Sequence, residues 1–354
     1  MKRARVAGAG IAALCAARCL VAHGWTVRLR GRPPSGSPTL VVNAVTADLL
    51  QSLFGGGELF AGSHRLRRRH VRWGAGAEPI EVDEPALVMS EGQLMNRLRA
   101  RLVRDHGDRV VLEDEHLDTA PVEWEVSGGG RAAARGQRFG ERRMLVAEMA
   151  LSASADPSTA RIETTSTGWL FLVPSGAGRA MVQAMVAAVG IDPTAQLRAI
   201  LAEAPTIRHQ LIGEPATASV FDAAPSLGER RSRRGWIAVG DEAMSLDPLC
   251  GDGAGSAARG AILAAAVIED IAGGLPAEVG LAHYRARLET ALAHHLRACR
   301  RFYGAAGFDA SWDSELRATA RWLAVVEAQL AQWPGFGFGL RGLRLAPLTA
   351  VAGA

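Results

Sequence analysis

Small residues near the start of the chain have the spacing of a turn that binds a pyrophosphate. Residues 4–8 read as a buried strand and residues 11–23 carry apolar side chains at helical spacing, so a G-x-G-x-x-A turn joins a strand to a helix. Gly8 permits the tight turn, Gly10 lets the main chain approach the anion, and Ala13 lets the helix pack close to the strand. The helix N-terminus then faces the phosphates. The predicted dinucleotide-binding residues of this turn are Gly8, Gly10, Ile11, Ala12 and Ala13.

The second predicted strand ends without the acidic residue that usually binds a ribose. Residues 25–30 read as this strand, and Gly31 stands where an aspartate or glutamate would follow. Arg30 and Arg32 could instead accept the 2′-phosphate of NADP. This end of the chain leaves the choice between FAD and a nicotinamide cofactor open, and Arg32 joins the candidate cofactor-binding residues.

A second glycine-rich segment lies near the other end of the chain. A predicted buried strand over residues 235–239 leads into Gly240 and Asp241, and an Asp-Pro-Leu-Cys-Gly-Asp-Gly run follows at 247–253. This segment resembles the C-terminal flavin segment of FAD-dependent monooxygenases and halogenases. The resemblance implies that FAD is the cofactor, that Asp241 hydrogen-bonds its ribityl chain, and that the proline-glycine turn lies against its ring. A helix that begins after Gly253 would stabilise negative charge on a reduced flavin. The candidate residues of this segment are Gly240, Asp241, Pro248, Gly251, Gly253 and Ala254.

Aromatic residues on one predicted strand form a candidate substrate pocket. The segment from Gly168 to Pro174 is similar to the G-W-x-W-x-I-P segment of flavin-dependent halogenases, with Phe171 in place of the second tryptophan. Together with the proline-glycine turn, it also resembles the flavoproteins that mature tryptophylquinone enzymes by oxidising a tryptophan of a partner protein. The candidate pocket residues are Trp169, Phe171 and Pro174. The same alternation also fits core side chains on one face of a strand.

The chain lacks two residues that are typical of flavin-dependent halogenases and of NADPH-dependent aromatic hydroxylases. Flavin-dependent halogenases rely on an active-site lysine, whereas Lys2 is the only lysine of this chain and stands just before the first strand. NADPH-dependent aromatic hydroxylases usually carry a D-G segment in mid-chain, and the nearest match, residues 127–135, lacks the aspartate. Halogenation is therefore not predicted, and the external electron donor is unknown.

Other charged and metal-binding residue types give no further site. The basic cluster from Arg65 to Arg72 has one neighbouring aromatic, Trp73, so a solvated face is favoured over a protein-docking surface and no nucleic-acid partner is predicted. His294 and His295 point to different helix faces, and no further ligand type stands at chelating spacing, so no metal is predicted.

Composition favours a cytoplasmic protein. The net charge is +4, and the four cysteines show neither a C-x-x-C spacing nor a clustered framework, which is typical of a reducing compartment. No apolar run reaches the roughly 18 residues that a membrane span needs, so none is predicted. The basic residues before the first apolar stretch could start a secretory signal, but the glycine turn and the second strand argue against that interpretation.

The element pattern predicts an α/β fold with an α+β insertion. A Rossmann-like FAD-binding domain is interleaved with an antiparallel-sheet substrate domain and followed by a C-terminal helical region. The predicted boundaries are 1–60, 90–140 and 235–275 for the FAD-binding domain, 61–89 and 141–234 for the substrate domain, and 276–340 for the helices.

Three hypotheses about function follow from these observations. The leading one is an FAD-dependent monooxygenase that uses O₂ to hydroxylate an aromatic substrate, either a tryptophan of a partner protein or a small aromatic molecule. The second is an FAD-dependent dehydrogenase or reductase of a small molecule, without oxygen insertion. The third is a binding or maturation module without catalysis. No side chain can be assigned as a catalytic acid or base.

Overall fold

The computed structural model describes residues 2–32, 39–56, 58–113, 121–129, 136–333 and 335–348. This part of the chain contains twenty strands and eight α-helices. The strands are β1 (Arg3–Ala7), β2 (Thr26–Arg30), β3 (Thr39–Asn43), β4 (His64–Arg72), β5 (Ile80–Ser90), β6 (Val110–Glu113), β7 (Trp124–Ser127), β8 (Gly136–Arg138), β9 (Arg143–Leu151), β10 (Thr159–Thr164), β11 (Gly168–Gly176), β12 (Arg179–Val186), β13 (Leu211–Ile212), β14 (Ser219–Asp222), β15 (Ser226–Gly228), β16 (Ser232–Arg233), β17 (Trp236–Ala238), β18 (Met244–Ser245), β19 (Phe338–Arg341) and β20 (Arg344–Pro347). The helices are α1 (Ile11–Ala22), α2 (Ala44–Phe54), α3 (Glu91–His106), α4 (Pro193–Ala202), α5 (Pro205–Arg208), α6 (Gly253–Ala272), α7 (Ala277–Gly304) and α8 (Asp313–Ala331).

A six-stranded sheet positions both glycine-rich segments. Its order is β16-β17-β7-β1-β2-β6, and all neighbours are parallel except β16 against β17. Helix α1 packs between this sheet and α6, and ten of its twelve residues are buried. The carboxyl ends of β1 and β17 therefore lie at the same edge of the sheet, separated only by β7, which is the place where doubly wound folds bind ligands.

A nine-stranded, mostly antiparallel sheet forms the second layer. Its order is β13-β9-β12-β11-β10-β4-β5-β3, with β14 also on β9 and a single parallel pair, β10 with β4. Strands β4 and β5 pair antiparallel and form part of this sheet, as the predicted antiparallel layer requires. One face of the sheet packs on α4 and α5 through buried leucines such as Leu170 and Leu172. The other face packs through Trp169 and Met185 on Tyr303 near the end of α7 and on Trp312 before α8.

Several observed strands do not follow the predicted segment boundaries, among them β16, which lies in the predicted substrate segment but pairs with β17. Strand β3 lies within the predicted FAD-binding segment 1–60 but pairs with β5 of the large sheet. The predicted helical segment 276–340 contains α7 and α8, but β19 begins before its end and pairs with β20 as a hairpin. Among the described residues, no helix is both long enough and apolar enough to span a bilayer.

Candidate functional site

The glycine turn after β1 leaves the first turn of α1 open toward a cavity. Gly8 has a φ of 119°, and a Cβ there would lie 2.7 Å from the main-chain carbon and oxygen of Gly128. Gly10 is the N-cap of α1 with extended backbone, and no side chain caps the helix there. A Cβ on Gly10 would have no atom within 4 Å, so the absent side chain leaves space in front of the first N–H groups. Uncapped N–H groups at a helix start are a binding site for an anion.

Residues from both ends of the chain line that cavity, which has a volume of about 650 Å³. Gly240 follows β17 with a φ of 60°, and a Cβ there would lie 2.8 Å from Cβ of Ala12, so the second segment meets α1 at van der Waals distance. Gly253 begins α6, which gives the cavity a second helix N-terminus. The predicted cofactor-binding residues on the wall are Gly10, Ile11, Ala12, Arg32, Gly240, Asp241, Gly253 and Ala254.

Four predicted cofactor-binding residues lie outside the cavity wall. Gly8 and Ala13 lie behind the turn, where Ala13 is fully buried and 3.5 Å from the Cβ position of Gly128. Pro248 and Gly251 belong to a short 3₁₀ turn over residues 248–250 and its left-handed cap, which precede α6. Gly8 and Ala13 thus support the wall from behind, and Pro248 and Gly251 lie in the turn that leads into α6.

Several residues of the cavity wall were not identified from the sequence. Gly128 and Gly129 follow β7, and a Cβ on Gly128 would lie 3.1 Å from Cγ2 of Val239, so a larger residue would separate β7 from β17. Glu91 opens α3 next to Ser90, whose hydroxyl caps the helix. Two sequence features could have identified these residues. They are the glycine pair at the end of a strand and the Ser-x-x-Gln capping pattern at the start of α3. Residues 130–135 of the predicted D-G comparison lie outside the described residues.

A buried ionic cluster holds the turn that precedes α6. The Asp247 carboxylate accepts hydrogen bonds from Arg142 Nε at 2.8 Å, from the Tyr303 hydroxyl at 2.6 Å and from the main-chain N–H of Leu249 at 2.8 Å. The fully buried Arg142 guanidinium also contacts Glu315 at 2.9 Å. Burial raises the pKa of Asp247, but the Arg142 guanidinium, His295 and the Tyr303 hydroxyl together outweigh burial and hold that pKa well below its ordinary range. The turn is thereby fixed by a carboxylate that stays ionised.

The same cluster corrects one sequence-based expectation. The expectation overlooked Cys299, which stands one helical turn after His295, and the fold brings Asp247 to both, with one ligand atom from each of the three within 4.8 Å of the others. The main-chain nitrogen of Asp247 lies 3.1 Å from His295 Nε2, and His295 Nδ1 lies 3.8 Å from Cys250 Sγ. Because Arg142 already pairs with Asp247, we interpret the group as a hydrogen-bonded network.

The predicted pocket residues occupy different environments on β11. Trp169 is 1% exposed and packs against Trp73, with ring centroids 5.9 Å apart, so it is a core side chain. Phe171, on the same face, is half-buried. Pro174 is buried, and the alternation of the strand places it on the opposite face. Of the three, Phe171 remains a candidate pocket wall.

One arginine of the basic cluster faces inward, which differs from the predicted solvated face. The guanidinium of Arg69 lies 5.5 Å from the ring centroid of Phe171, and its Nη2 is 3.8 Å from the Cβ position of Gly251. Glu84 pairs with it at 3.0 Å. Arg68, in contrast, pairs with Glu81 in solvent. The large sheet thus presents a guanidinium and an aromatic ring to the turn before α6.

Comparisons with known proteins agree with this architecture. No protein-family model and no curated protein matches the chain. Among solved structures, it is similar over 98% of its length to the peptidyl tryptophan dihydroxylase QhpG, essential for tryptophylquinone cofactor biogenesis, with a TM-score of 0.75, 21% identity and 86% of that chain covered. It is similar over 94% to the myxobacterial chondrochloren halogenase CndH (TM-score 0.72, 16% identity, 91% of that chain). It is also similar over 92% to Klebsiella pneumoniae HpxO complexed with FAD and uric acid (0.65, 18%, 93%).

These likenesses confirm the predicted fold class. The parallel sheet, the interleaved antiparallel sheet and the C-terminal helices occur in one chain, in the order that the sequence pattern predicted. The chain has the same fold as QhpG, the halogenase CndH and HpxO.

Proposed function

We propose that this protein is an FAD-dependent oxidoreductase that hydroxylates an aromatic substrate. The observation that carries the proposal is the single cavity in which the start of α1, the start of α6 and Asp241 meet. Two helix N-termini suit a ligand with a pyrophosphate at one end and a ring that gains negative charge at the other.

Each part of the cavity suits one part of FAD. The uncapped N–H groups after Gly10 would bind the pyrophosphate, and Asp241 would accept hydrogen bonds from the ribityl hydroxyls. Glu91 and Arg32 line the wall beyond the missing acid at Gly31, and we assign the adenosine ribose to them. The turn from Pro248 to Gly251 would lie along the flavin ring. Reduced FAD supplies the activation of O₂, and the protein orients the substrate and limits the access of water.

The substrate side of the site favours an aromatic group. Phe171 and Arg69 face the turn, and a ring placed there could stack on either of them. A tryptophan of a partner protein is the substrate that we favour over a small aromatic molecule, because QhpG is a peptidyl tryptophan dihydroxylase and covers nearly the whole chain. The free cysteines are compatible with the cytoplasm, where we place the reaction.

Spectroscopy and isotope incorporation test this function. The purified protein should be yellow, with flavin absorption that survives gel filtration and FAD that acid releases. With dithionite-reduced FAD and ¹⁸O₂, a tryptophan-containing peptide should gain labelled oxygen. The Gly10→Val variant should lose the flavin, because a side chain would enter the space in front of the α1 N-terminus.

Other outcomes would favour the remaining hypotheses. Flavin reduction and reoxidation without labelled product would indicate a dehydrogenase or reductase. A colourless protein that also fails to bind added FAD would contradict the proposed function and favour a module without catalysis.

A further inference from the structure

Half of strand β5 has an uncovered edge. Strand β3 pairs with residues Ala86–Ser90 only, because β3 ends at Asn43 and α2 begins at the next residue. Residues 80–85 therefore have β4 on one side and, within the described ranges, no strand on the other. Glu84 is half-buried and the other five residues are exposed. Unpaired main-chain groups on such an edge are a template for another extended chain, although Pro85 has no N–H to donate.

The two faces of this edge carry different side chains. Glu81 and Asp83 lie on one face, where Arg68 pairs with both. Ile80 and Val82 lie on the other face, 59% and 39% exposed, beside Glu84, whose carboxylate pairs with Arg69 at 3.0 Å. This edge keeps uncovered β-branched side chains on one face.

The face that carries Ile80 and Val82 is on the same side of the sheet as the proposed flavin turn. Val82 pairs directly with Arg69, whose guanidinium lies over Phe171 and beside Gly251. Ile80 pairs with Val71, which continues the same row of side chains into the sheet. A strand added to β5 would lie about 4.8 Å from it and about 10 Å from β4. A tryptophan side chain on that strand is long enough to pass over Val82 toward Arg69.

A cavity lies where the uncovered edge ends. It has a volume of about 540 Å³ and is walled by Pro85 and Leu87 of β5, by Asp48 and Gln51 of α2, and by Phe60. A polypeptide that follows the edge from residue 80 to residue 85 would reach this cavity with its next side chains. The main chain of an extended polypeptide would thus pair with the edge of β5, and its next side chains would enter the cavity beside Pro85.

We propose that an extended segment of a polypeptide substrate adds as a strand to residues 80–85 of β5 and directs an aromatic side chain past Val82 to Arg69. The identity of the occupant as a substrate rests on the proposed hydroxylation. Its binding mode rests on the edge itself. Recognition through main-chain hydrogen bonds tolerates many sequences and leaves specificity to the side chains that face the sheet.

The test uses FAD-loaded protein and one defined peptide. The probe is the acetylated and amidated peptide Gln-Thr-Val-Thr-Trp-Thr-Val-Thr-Gln, with a twin that is N-methylated at every second amide and so lacks one edge of donors. We expect the parent peptide to bind and to slow hydrogen exchange of amides within 80–85, and the twin not to bind. Equal binding of both peptides, exchange protection elsewhere only, or no binding at the solubility limit of the parent peptide would overturn the proposal.

A matched pair of double variants locates the interaction. Ile80→Gln with Val82→Gln should weaken peptide binding about tenfold, which equals about 1.4 kcal/mol. Val111→Gln with Leu112→Gln changes two side chains of similar exposure, 48% and 45%, on edge strand β6 and should leave peptide affinity unchanged. Equal losses in both variants would also contradict edge docking. Peptide bound at 80–85 without ¹⁸O incorporation would instead refute the hydroxylation and leave the docking site standing.

Discussion

At the scale of single residues, glycine has two different roles around the cavity. At Gly8 and Gly240 the main chain has a positive φ and passes so close to a neighbour that a Cβ would overlap it. At Gly10 and Gly253 a Cβ would meet nothing within 4 Å. The first pair brings elements together, and the second pair leaves room for a ligand. Substitution of the first pair should therefore damage the fold, whereas substitution of the second pair should damage binding.

Asp241 provides a test of the cofactor site at this scale. Asp241→Ala should lower FAD affinity, because the ribityl hydroxyls lose a charged acceptor at a cost of about 1 to 3 kcal/mol, equivalent to about five-fold to more than a hundred-fold. Asp241→Asn should retain part of the affinity, since the amide oxygen still accepts. Titration of apoprotein by flavin fluorescence gives both values. Unchanged affinity of the alanine variant would mean that Asp241 does not contact the cofactor.

At the scale of elements, the turn before α6 depends on side chains from distant segments. Arg142 precedes β9, Asp247 begins the turn, Tyr303 ends α7 and Glu315 begins α8, and all four are buried. Two buried carboxylates share one guanidinium, so loss of the arginine would remove the cation that both of them contact. The cluster therefore joins the proposed flavin turn to the C-terminal helices.

Removal of Arg142 should be strongly destabilising. We expect Arg142→Met to lower the free energy of unfolding by about 3 to 5 kcal/mol, the usual cost of breaking a buried ion pair from one side. Arg179→Met is the matched control, because Arg179 forms an ion pair with Glu148 at a half-exposed site and should change stability by less than about 1 kcal/mol. Urea denaturation of the apoproteins measures both. Similar losses in the two variants would contradict the special role of the cluster.

The contact between α7 and the segment before β19 should be sensitive to acid. His283 is 4% exposed and packs edge-on against Phe336 and Phe338. Burial, helped by the charge of Arg287, lowers the pKa of His283 from 6.5 to about 4. Between these two values the unfolded chain binds a proton that the folded chain does not bind, so stability should fall as pH decreases from about 6.5 to about 4.

The variant His283→Phe isolates this effect. It keeps an aromatic ring in place and has no titratable group, so its free energy of unfolding should fall less than that of the parent over the same pH window. Urea denaturation of both apoproteins at pH 7 and at pH 4.5 gives the difference. Parallel pH curves for the two proteins would show that His283 does not contribute.

The sequence predicted those parts of the site that depend on local pattern. The turn at Gly10 and the segment around Asp241 could be identified because neighbouring residues set their conformation. Glu91, Arg69 and Arg142 could not, since each reaches the site only through pairing between distant segments. Trp169 was predicted as a pocket residue but is buried in the core. The alternation of a strand does not reveal which of its side chains pack in the core and which line a pocket.

At the scale of the whole molecule, the chain separates its only lysine from the proposed chemistry. Lys2 contacts Glu269 at 2.9 Å and lies beside the ring of Trp25. Glu269 stands sixteen residues after Gly253 on α6, which corresponds to about 24 Å along the helix axis. Lys2 therefore lies at the far end of α6 from the turn.

We expect no halogenation for this reason. Protein supplied with reduced FAD, O₂ and chloride or bromide should give no halogenated product from tryptophan, indole or tryptophan-containing peptides, as measured by mass spectrometry. Lys2→Arg, which keeps the charge beside Glu269, should not change the yield of oxygenated product. Chlorinated or brominated product from the parent protein would contradict this prediction.

The contact of Lys2 with Glu269 also makes the molecule suited to single-site labelling. Apart from the α-amino group, an amine-directed reagent finds one ε-ammonium group in the chain, 38% exposed and joined to a carboxylate that is 9% exposed. Acylation would remove its charge and leave Glu269 with Trp25 and Arg344 as partners. A dye attached there would report on the junction between the first strand and the end of α6 and leave the cavity, about a helix length away, unlabelled.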